Sequence, residues 1–318
     1  MLKYLIIQLD DTAVSFCHYQ NETSKRRLIP FETLKEAIFW SMKENLSIQF
    51  LYPDYTLPKE YKSVIAKTYH TDIVPSTCED TDLRVNADVV VFDSLASIGS
   101  YDFSKEKSYV FRATLDELLN SGTQLFGILP NIGRLNIVVT DIYSFTNEYE
   151  ERYELFLSSL SEKVIAEYTV NHGVQVNLLT DRMMLDGMNN CNAGVETISL
   201  CPDGKFYVCP AFYSSASDRY SVGTPGDGLD LKNPQLYRLD HAPLCRICDA
   251  WQCRRCVWLN KEMTLEVNTP SREQCVMAHI ERNASRMLLG EIRKIGQFLP
   301  EKEITEIDYL DPFEKLRY

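Results

Sequence analysis

Eight cysteines between positions 191 and 275 have types and spacing that could hold metal. They are Cys191, Cys201, Cys209, Cys245, Cys248, Cys253, Cys256 and Cys275. They read C-x9-C-x7-C, a gap of thirty-five residues, C-x2-C-x4-C-x2-C, a further eighteen residues, then C. Two sets of four thiolates suit tetrahedral zinc or cubane iron–sulfur clusters, both of which want soft ligands. A disulfide framework fits badly, because disulfide-dense chains are small and secreted, and this chain has 318 residues. Scattered core thiols fit badly too, since Cys-x2-Cys occurs twice within one short run.

Zinc ribbons separate their two Cys-x2-Cys knuckles by about fifteen residues or more. Here only Asp249, Ala250, Trp251 and Gln252 lie between Cys248 and Cys253. A run this compact more naturally gives some ligands to one centre and the rest to another, as in two-cluster ferredoxins. Arg246, Arg254 and Arg255 sit among the cysteines. Guanidinium groups there would offset the negative charge of a four-thiolate cluster, although a solvated basic loop reads the same way. The expected cofactors are two [4Fe-4S] clusters, with zinc as the alternative.

Cys191, the stretch Pro202-Asp203-Gly204 leading through Lys205-Phe206 to Tyr207-Val208-Cys209, the dense run from Cys245 to Cys256 and the final Cys275 together resemble the SPASM domain. That domain ends many radical-SAM enzymes that modify ribosomally made peptides. The resemblance covers about the last 130 residues. Asp-Gly between β-formers is also a hairpin turn on physical grounds, because glycine accepts positive φ. Two departures stand out. The family's run is usually C-x2-C-x5-C-x3-C, so both later spacings are one residue shorter here, and Cys201 lies closer to the turn than the family's additional ligand. The resemblance implies one cluster on Cys191, Cys209 and Cys256, with Cys201 as a fourth ligand. It implies another on Cys245, Cys248, Cys253 and Cys275. Within the superfamily the chain is similar to the CXXX repeat peptide maturases. The implied partner is a precursor peptide rich in Cys-x-x-x repeats, together with a separate radical-SAM or other modification enzyme. Two other readings remain: a non-catalytic peptide adaptor for such an enzyme, and a zinc-stabilised binding module.

The separate enzyme is expected because radical-SAM members carry Cys-x3-Cys-x2-Cys after their first strand. Here the corresponding residues, Asp10-Asp11-Thr12-Ala13-Val14-Ser15-Phe16-Cys17-His18-Tyr19, include one cysteine, and Cys78 stands alone. No SAM site is therefore expected in this chain, and no catalytic residue is assigned. Cys17 and His18, read as strand neighbours, would point to opposite faces and could not act as a nucleophile–base pair. Cys17 reads as a small buried hydrophobe. Asp10 and Asp11 fall where α/β proteins place sites, but two acids ending a strand are an ordinary loop start. The same holds for Pro53-Asp54-Tyr55 and Asp93-Ser94. There is no phosphate loop, no Gly-x-Gly-x-x-Gly and no His-Glu-x-x-His.

Short β-branched runs near 3–9, 47–52, 87–92, 108–112, 135–140 and 174–179 read as six strands. Helical periodicity covers 31–46, 58–68, 114–121, 146–170 and 278–299, whereas 124–129 is ambiguous. Strands alternating with helices imply parallel β and right-handed crossovers. A doubly wound sheet and an open (β/α)6 partial barrel both satisfy that pattern, and the resemblance favours the barrel. The expected organisation is α/β: a radical-SAM-like partial barrel over 1–182, a cysteine-rich SPASM domain with a docking helix over 183–300, and a charged tail over 301–318. A hydrophobic fraction of 45% is that of a globular core. Net charge is −12 with no Lys/Arg block, which argues against a nucleic-acid partner. No apolar run is long enough to span a membrane, and Tyr4–Leu9 is too short for a signal peptide. A cytoplasmic setting, where thiols stay reduced, is expected.

Overall fold

The computed structural model describes residues 2–21, 23–188, 191–215, 218–296 and 298–304. The first half alternates as expected: β1 (Tyr4–Gln8), α1 (Phe31–Lys43), β2 (Ser47–Leu51), α2 (Lys59–Ile65), β3 (His70–Pro75), α3 (Thr81–Asn86) and β4 (Val89–Phe92). Then come β5 (Ser108–Ala113), α4 (Leu115–Ser121), β6 (Arg134–Val139), α5 (Asn147–Thr169), β7 (Gln175–Val176) and α6 (Asn177–Met184). The cysteine-rich part adds β8 (Thr197–Leu200), β9 (Phe206–Tyr207), α7 (Pro210–Ser214), the short strands β10 (Gly223–Thr224) and β11 (Gly228–Leu229), α8 (Val257–Thr264) and α9 (Arg272–Ile295). No helix among the described residues is long and apolar enough to cross a membrane.

The chain forms two compact units, and the cysteine-rich part contributes to both. Of the described residues, the first holds those within 2–91, 191–242 and 257–259, and the second those within 92–188, 243–256 and from Asn260 on. In the first unit β4, β3, β2 and β1 pair in parallel in that order, and β8 pairs in parallel on the other side of β1. Adjacent residues are buried along these strands, Leu5, Ile6 and Ile7 on β1, Phe50 and Leu51 on β2, and Val90 and Val91 on β4, the continuous apolar pattern of a parallel sheet covered on both faces. In the second unit β5, β6 and β7 pair in parallel. Its core includes Phe92 and Phe111, stacked at 4.4 Å between centroids. From β1 to β4 and from β5 to β7 consecutive strands are neighbours, as in an open barrel, and β8 from the cysteine-rich part adds outside β1. The expected open parallel α/β fold is therefore observed.

Three local expectations are corrected. The strand β3 had no clear sequence signal, because His70, Thr71 and Asp72 are polar and only Ile73, Val74 and Pro75 are buried. The sixth expected strand, 174–179, stops at Val176, and α6 begins at Asn177. The Asn177 amide accepts from Ile137 N (2.8 Å) and donates to Ile137 O (2.9 Å), so a side chain takes over the ladder's hydrogen bonds. The chain is thereby free to turn into a helix, and Thr180 Oγ1 accepts from Val176 N at 2.9 Å. The last helix runs from Arg272 to Ile295 instead of 278–299. Ser271 caps it by accepting from Gln274 N at 3.2 Å, with glutamine at the third helical position as in a capping box. Cys275 thus lies in the first turn of α9. Of the charged tail, 305–318 lies outside the described residues.

Candidate metal centre

In the second unit Cys245, Cys248, Cys253 and Cys275 line one cavity of about 210 Å³. Cys245 opens a 3-10 turn that ends at Ile247. Cys248 N donates to Cys245 O at 3.1 Å, and Cys253 N donates to Ala250 O at 2.9 Å. These two tight turns fold the short run so that Cys245, Cys248 and Cys253 all reach the cavity lining, and α9 supplies Cys275. His279, one helical turn beyond Cys275, reaches the same cavity, with Nε2 at 3.6 Å from Cys248 Sγ. Leu244 and Ile247, both exposed, also line the cavity.

The residues between the two Cys-x2-Cys pairs are anchors. Asp249 is buried between two buried arginines: its Oδ2 lies 3.4 Å from Arg182 Nη2 on α6, and its Oδ1 lies 3.2 Å from Arg282 Nη1 on α9. Its carbonyl also accepts from Arg182 Nε at 3.0 Å. Gln252 donates to Ala278 O at 2.6 Å and to Glu281 Oε2 at 3.5 Å. Glu281 Oε1 accepts from Tyr153 OH on α5 at 2.7 Å. The cysteine run is therefore tied by buried polar contacts to α6 and α9, and through Glu281 to α5. Burial pushes the Glu281 carboxyl up to about 7, although Tyr153 and Gln252 pull it down. The Tyr153 phenol is also pushed well up, by burial first and then by Glu281.

Burial pushes the Cys253 thiol well above its ordinary value, with further upward push from Cys245, Cys248, Glu281 and Cys275. Cys245 is pushed up to about 11 by burial, against the pull of Arg255 and with a further push from Cys248. Neutral thiols at this site would become ligands only by exchanging a proton for a metal ion. Among the three arginines of the run, Arg255 is 2% exposed and lines the cavity, the position suited to offset cluster charge. Arg254 instead donates to Asn136 Oδ1 at 2.6 Å, and Arg246 is exposed. Among the described residues no three His, Cys, Asp or Glu side chains gather closely enough to hold a single metal ion. A cubane spreads its ligands wider, with one thiolate on each of four irons. The donor set, the cavity and the buried guanidinium therefore fit a four-iron cluster.

The other four cysteines divide between the units: Cys191, Cys201 and Cys209 belong to the first and Cys256 to the second. Cys201 follows β8 and is fully buried, with Sγ 3.9 Å from Gln8 Oε1 on β1. Burial pushes its thiol well up, and Asp203 and Asp11 add to the push. The turn after it forms as expected. Gly204 has φ +81°, β8 and β9 pair antiparallel, and Tyr207 OH donates to Asp203 Oδ2 at 2.7 Å. Cys209 precedes α7, and Phe212 N donates to its carbonyl at 3.1 Å. Cys191 is exposed, and its carbonyl accepts from Thr197 Oγ1 at 2.8 Å. Cys256 leads into α8, where Asn260 N donates to its carbonyl at 2.9 Å.

The C-terminal end of β1 carries a closed polar network. Asp10 is fully buried and accepts from Thr12 N (2.8 Å), Thr12 Oγ1 (2.6 Å) and Tyr55 OH (2.9 Å). Asp11 pairs with Arg27 at 3.0 Å and accepts from Tyr213 OH. The two acids organise the loop that follows β1, as read from the sequence. Cys17 and His18 lie in a bend of that loop, off any strand, and Cys17 is half-buried where full burial was expected.

The sequence did not single out Arg182, Tyr153, His279, Glu281 or Arg282. One signal was available. Gln274, His279, Glu281, Arg282 and Ser285 interrupt the otherwise apolar buried face of α9, and buried polar groups need partners.

No family model matches the chain, and no curated protein does. Solved structures do match. Histidine-tagged anSMEcpe with bound AdoMet aligns at a TM-score of 0.61 and 14% identity, over 92% of this chain and 100% of that one. Native anSMEcpe with bound AdoMet and Cp18Cys peptide aligns at 0.61 and 12%, over 92% and 100%. The same protein with AdoMet and Kp18Cys peptide aligns at 0.61 and 12%, over 92% and 99%. That protein is a radical-SAM SPASM enzyme of the anaerobic sulfatase-maturating kind. At this identity the likeness is one of fold: an open parallel α/β partial barrel, a cysteine-rich C-terminal region and a long C-terminal helix.

Proposed function

We propose that this chain is a SPASM-type maturation protein for a ribosomally made, cysteine-rich peptide of the Cys-x-x-x repeat kind. The observation that carries the proposal is the cavity lined by Cys245, Cys248, Cys253 and Cys275. In it these four thiols would hold a [4Fe-4S] cluster and Arg255 would offset its charge. Such a group, when bound, supplies one-electron transfer and a rigid cross-link. Four thiolates saturate four irons, so its role is structure or electron passage, and the peptide is held by the protein around it. For Cys191, Cys201, Cys209 and Cys256 the assignment of a second cluster rests on what the SPASM resemblance of the sequence implies. The peptide partner is supported by the fold likeness to a maturase whose structures hold bound peptides.

The loop after β1 offers one cysteine, and Asp10 and Asp11 in it are committed to Tyr55, Thr12, Arg27 and Tyr213. Radical generation is accordingly assigned to a separate enzyme, with this chain presenting the peptide or passing electrons. The test is to incubate anaerobic, reconstituted protein with a Cys-x-x-x repeat peptide, with and without S-adenosylmethionine and a partner radical enzyme. Peptide binding by the chain, with a mass change only when the partner is present, is expected. No binding to such peptides in any combination refutes the proposal.

A further inference from the structure

His279 lines the cavity, is neither cysteine nor arginine, and points a polar atom at a thiol. It follows Cys275 by four residues on α9, so the two share a helix face. It is 8% exposed, and its Nε2 lies 3.6 Å from Cys248 Sγ. The helical turn that carries it is fixed by its neighbours. Ala278 O accepts from Gln252, Glu281 accepts from Tyr153, and Arg282 pairs with Asp249. The thiol it faces is fixed as well, with Ala250 N donating to Cys248 Sγ at 3.4 Å. A thiolate that ligates iron has no proton to give, so the imidazole must be the donor of this contact.

We propose that His279 donates a hydrogen bond from Nε2 to the Cys248 thiolate and thereby raises the reduction potential of the cluster held there. A donor to a ligating sulfur stabilises the reduced form, which carries one more negative charge, over the oxidised form. Cys248 would then take two donors, Ala250 N–H and His279 Nε2–H, both set by the anchors around Asp249 and Gln252. His279 is a positioning and tuning residue; it is not a ligand. The inference rests on the reading of Cys245, Cys248, Cys253 and Cys275 as cluster ligands.

The test uses full-length, anaerobically reconstituted protein. Iron and sulfide are counted, and the midpoint is followed by EPR for the signal that disappears in Cys248→Ala. His279→Phe should keep the iron and shift that midpoint to lower potential. His279→Gln, which can still donate, should shift it less. A midpoint that does not move in His279→Phe with iron retained overturns the role of His279 while leaving the cluster reading intact. No iron in the wild type overturns both. Should His279→Phe fail to fold, wild-type protein labelled with 15N-histidine carries the test in pulsed EPR of the reduced cluster. A weak coupling to one histidine nitrogen is expected. No coupling, or the strong coupling of an imidazole bound directly to iron, overturns the proposal.

Discussion

Replacing Asp249 by alanine should release the whole ligand run. The carboxylate sits between Arg182 and Arg282, whose side chains are 1% and 6% exposed. Its removal leaves two guanidinium groups buried without their shared counter-charge. Breaking a buried ion pair by deleting one partner costs about 3–5 kcal/mol. Set against a typical total stability of about 5–15 kcal/mol, that is a large share. Trp251, two residues on, is a local reporter once Trp40 and Trp258 are changed to phenylalanine. With a urea slope of about 1–3 kcal/mol per molar, the transition seen at Trp251 should move down by at least about 1 M. Replacing all three charges with apolar residues, Arg182→Met, Asp249→Leu and Arg282→Met, should recover much of the loss, since it also removes the cost of burying them. A loss below about 1 kcal/mol in Asp249→Ala would show that the triad is as weak as an exposed pair and does not anchor the run.

Cys248→Ala or Cys253→Ala should lower the bound iron by about half and open the run to protease, because cluster binding and folding are coupled. Cys17→Ala should leave both unchanged, and equal damage from all three would refute the ligand assignment. Glu281 should make stability fall as pH rises. Its carboxyl holds its proton up to about 7 in the folded protein, above its ordinary 4.5, so the folded state binds the extra proton between those values. Ionising it costs about 3 kcal/mol once pH exceeds the folded value. Relative to Glu281→Gln, the wild type should therefore lose about 2 kcal/mol between about pH 5.5 and pH 8 in urea unfolding, and parallel curves would refute this. The protein alone, reduced with dithionite and given S-adenosylmethionine, should form no 5′-deoxyadenosine. Formation that is lost on changing Cys191 or Cys209 would mean that one of its clusters has an open iron.

The cysteine pattern and the Pro202-Asp203-Gly204 turn were legible because each is a local code. Thiol spacing sets which ligands can converge, and glycine at φ +81° accepts what other residues resist. The strands that read clearly are those with uninterrupted apolar runs, such as Leu5 to Ile7 and Ile137 to Val139. β3 was hidden because its outer half is polar, and a strand of that composition is recognised only by its partners, β2 and β4. The switch at Asn177 was hidden because it depends on Ile137, forty residues away in sequence. The site's scaffold was hidden for the same reason. Asp249 and Gln252 look like a polar spacer until α6 and α9 bring Arg182, Arg282 and Glu281 against them. His279 is one histidine among five in the chain, and only its distance from Cys248 sets it apart.

The measurement that tests the account most directly is the metal and sulfide content of protein purified without oxygen. Two four-iron clusters, each held by four cysteines, predict about eight irons and about eight acid-labile sulfides per chain, with a broad thiolate-to-iron absorption band. Stoichiometric zinc with neither iron nor sulfide would contradict it. The cavity of Cys245, Cys248, Cys253 and Cys275 would then have to be read as part of a zinc-stabilised binding module.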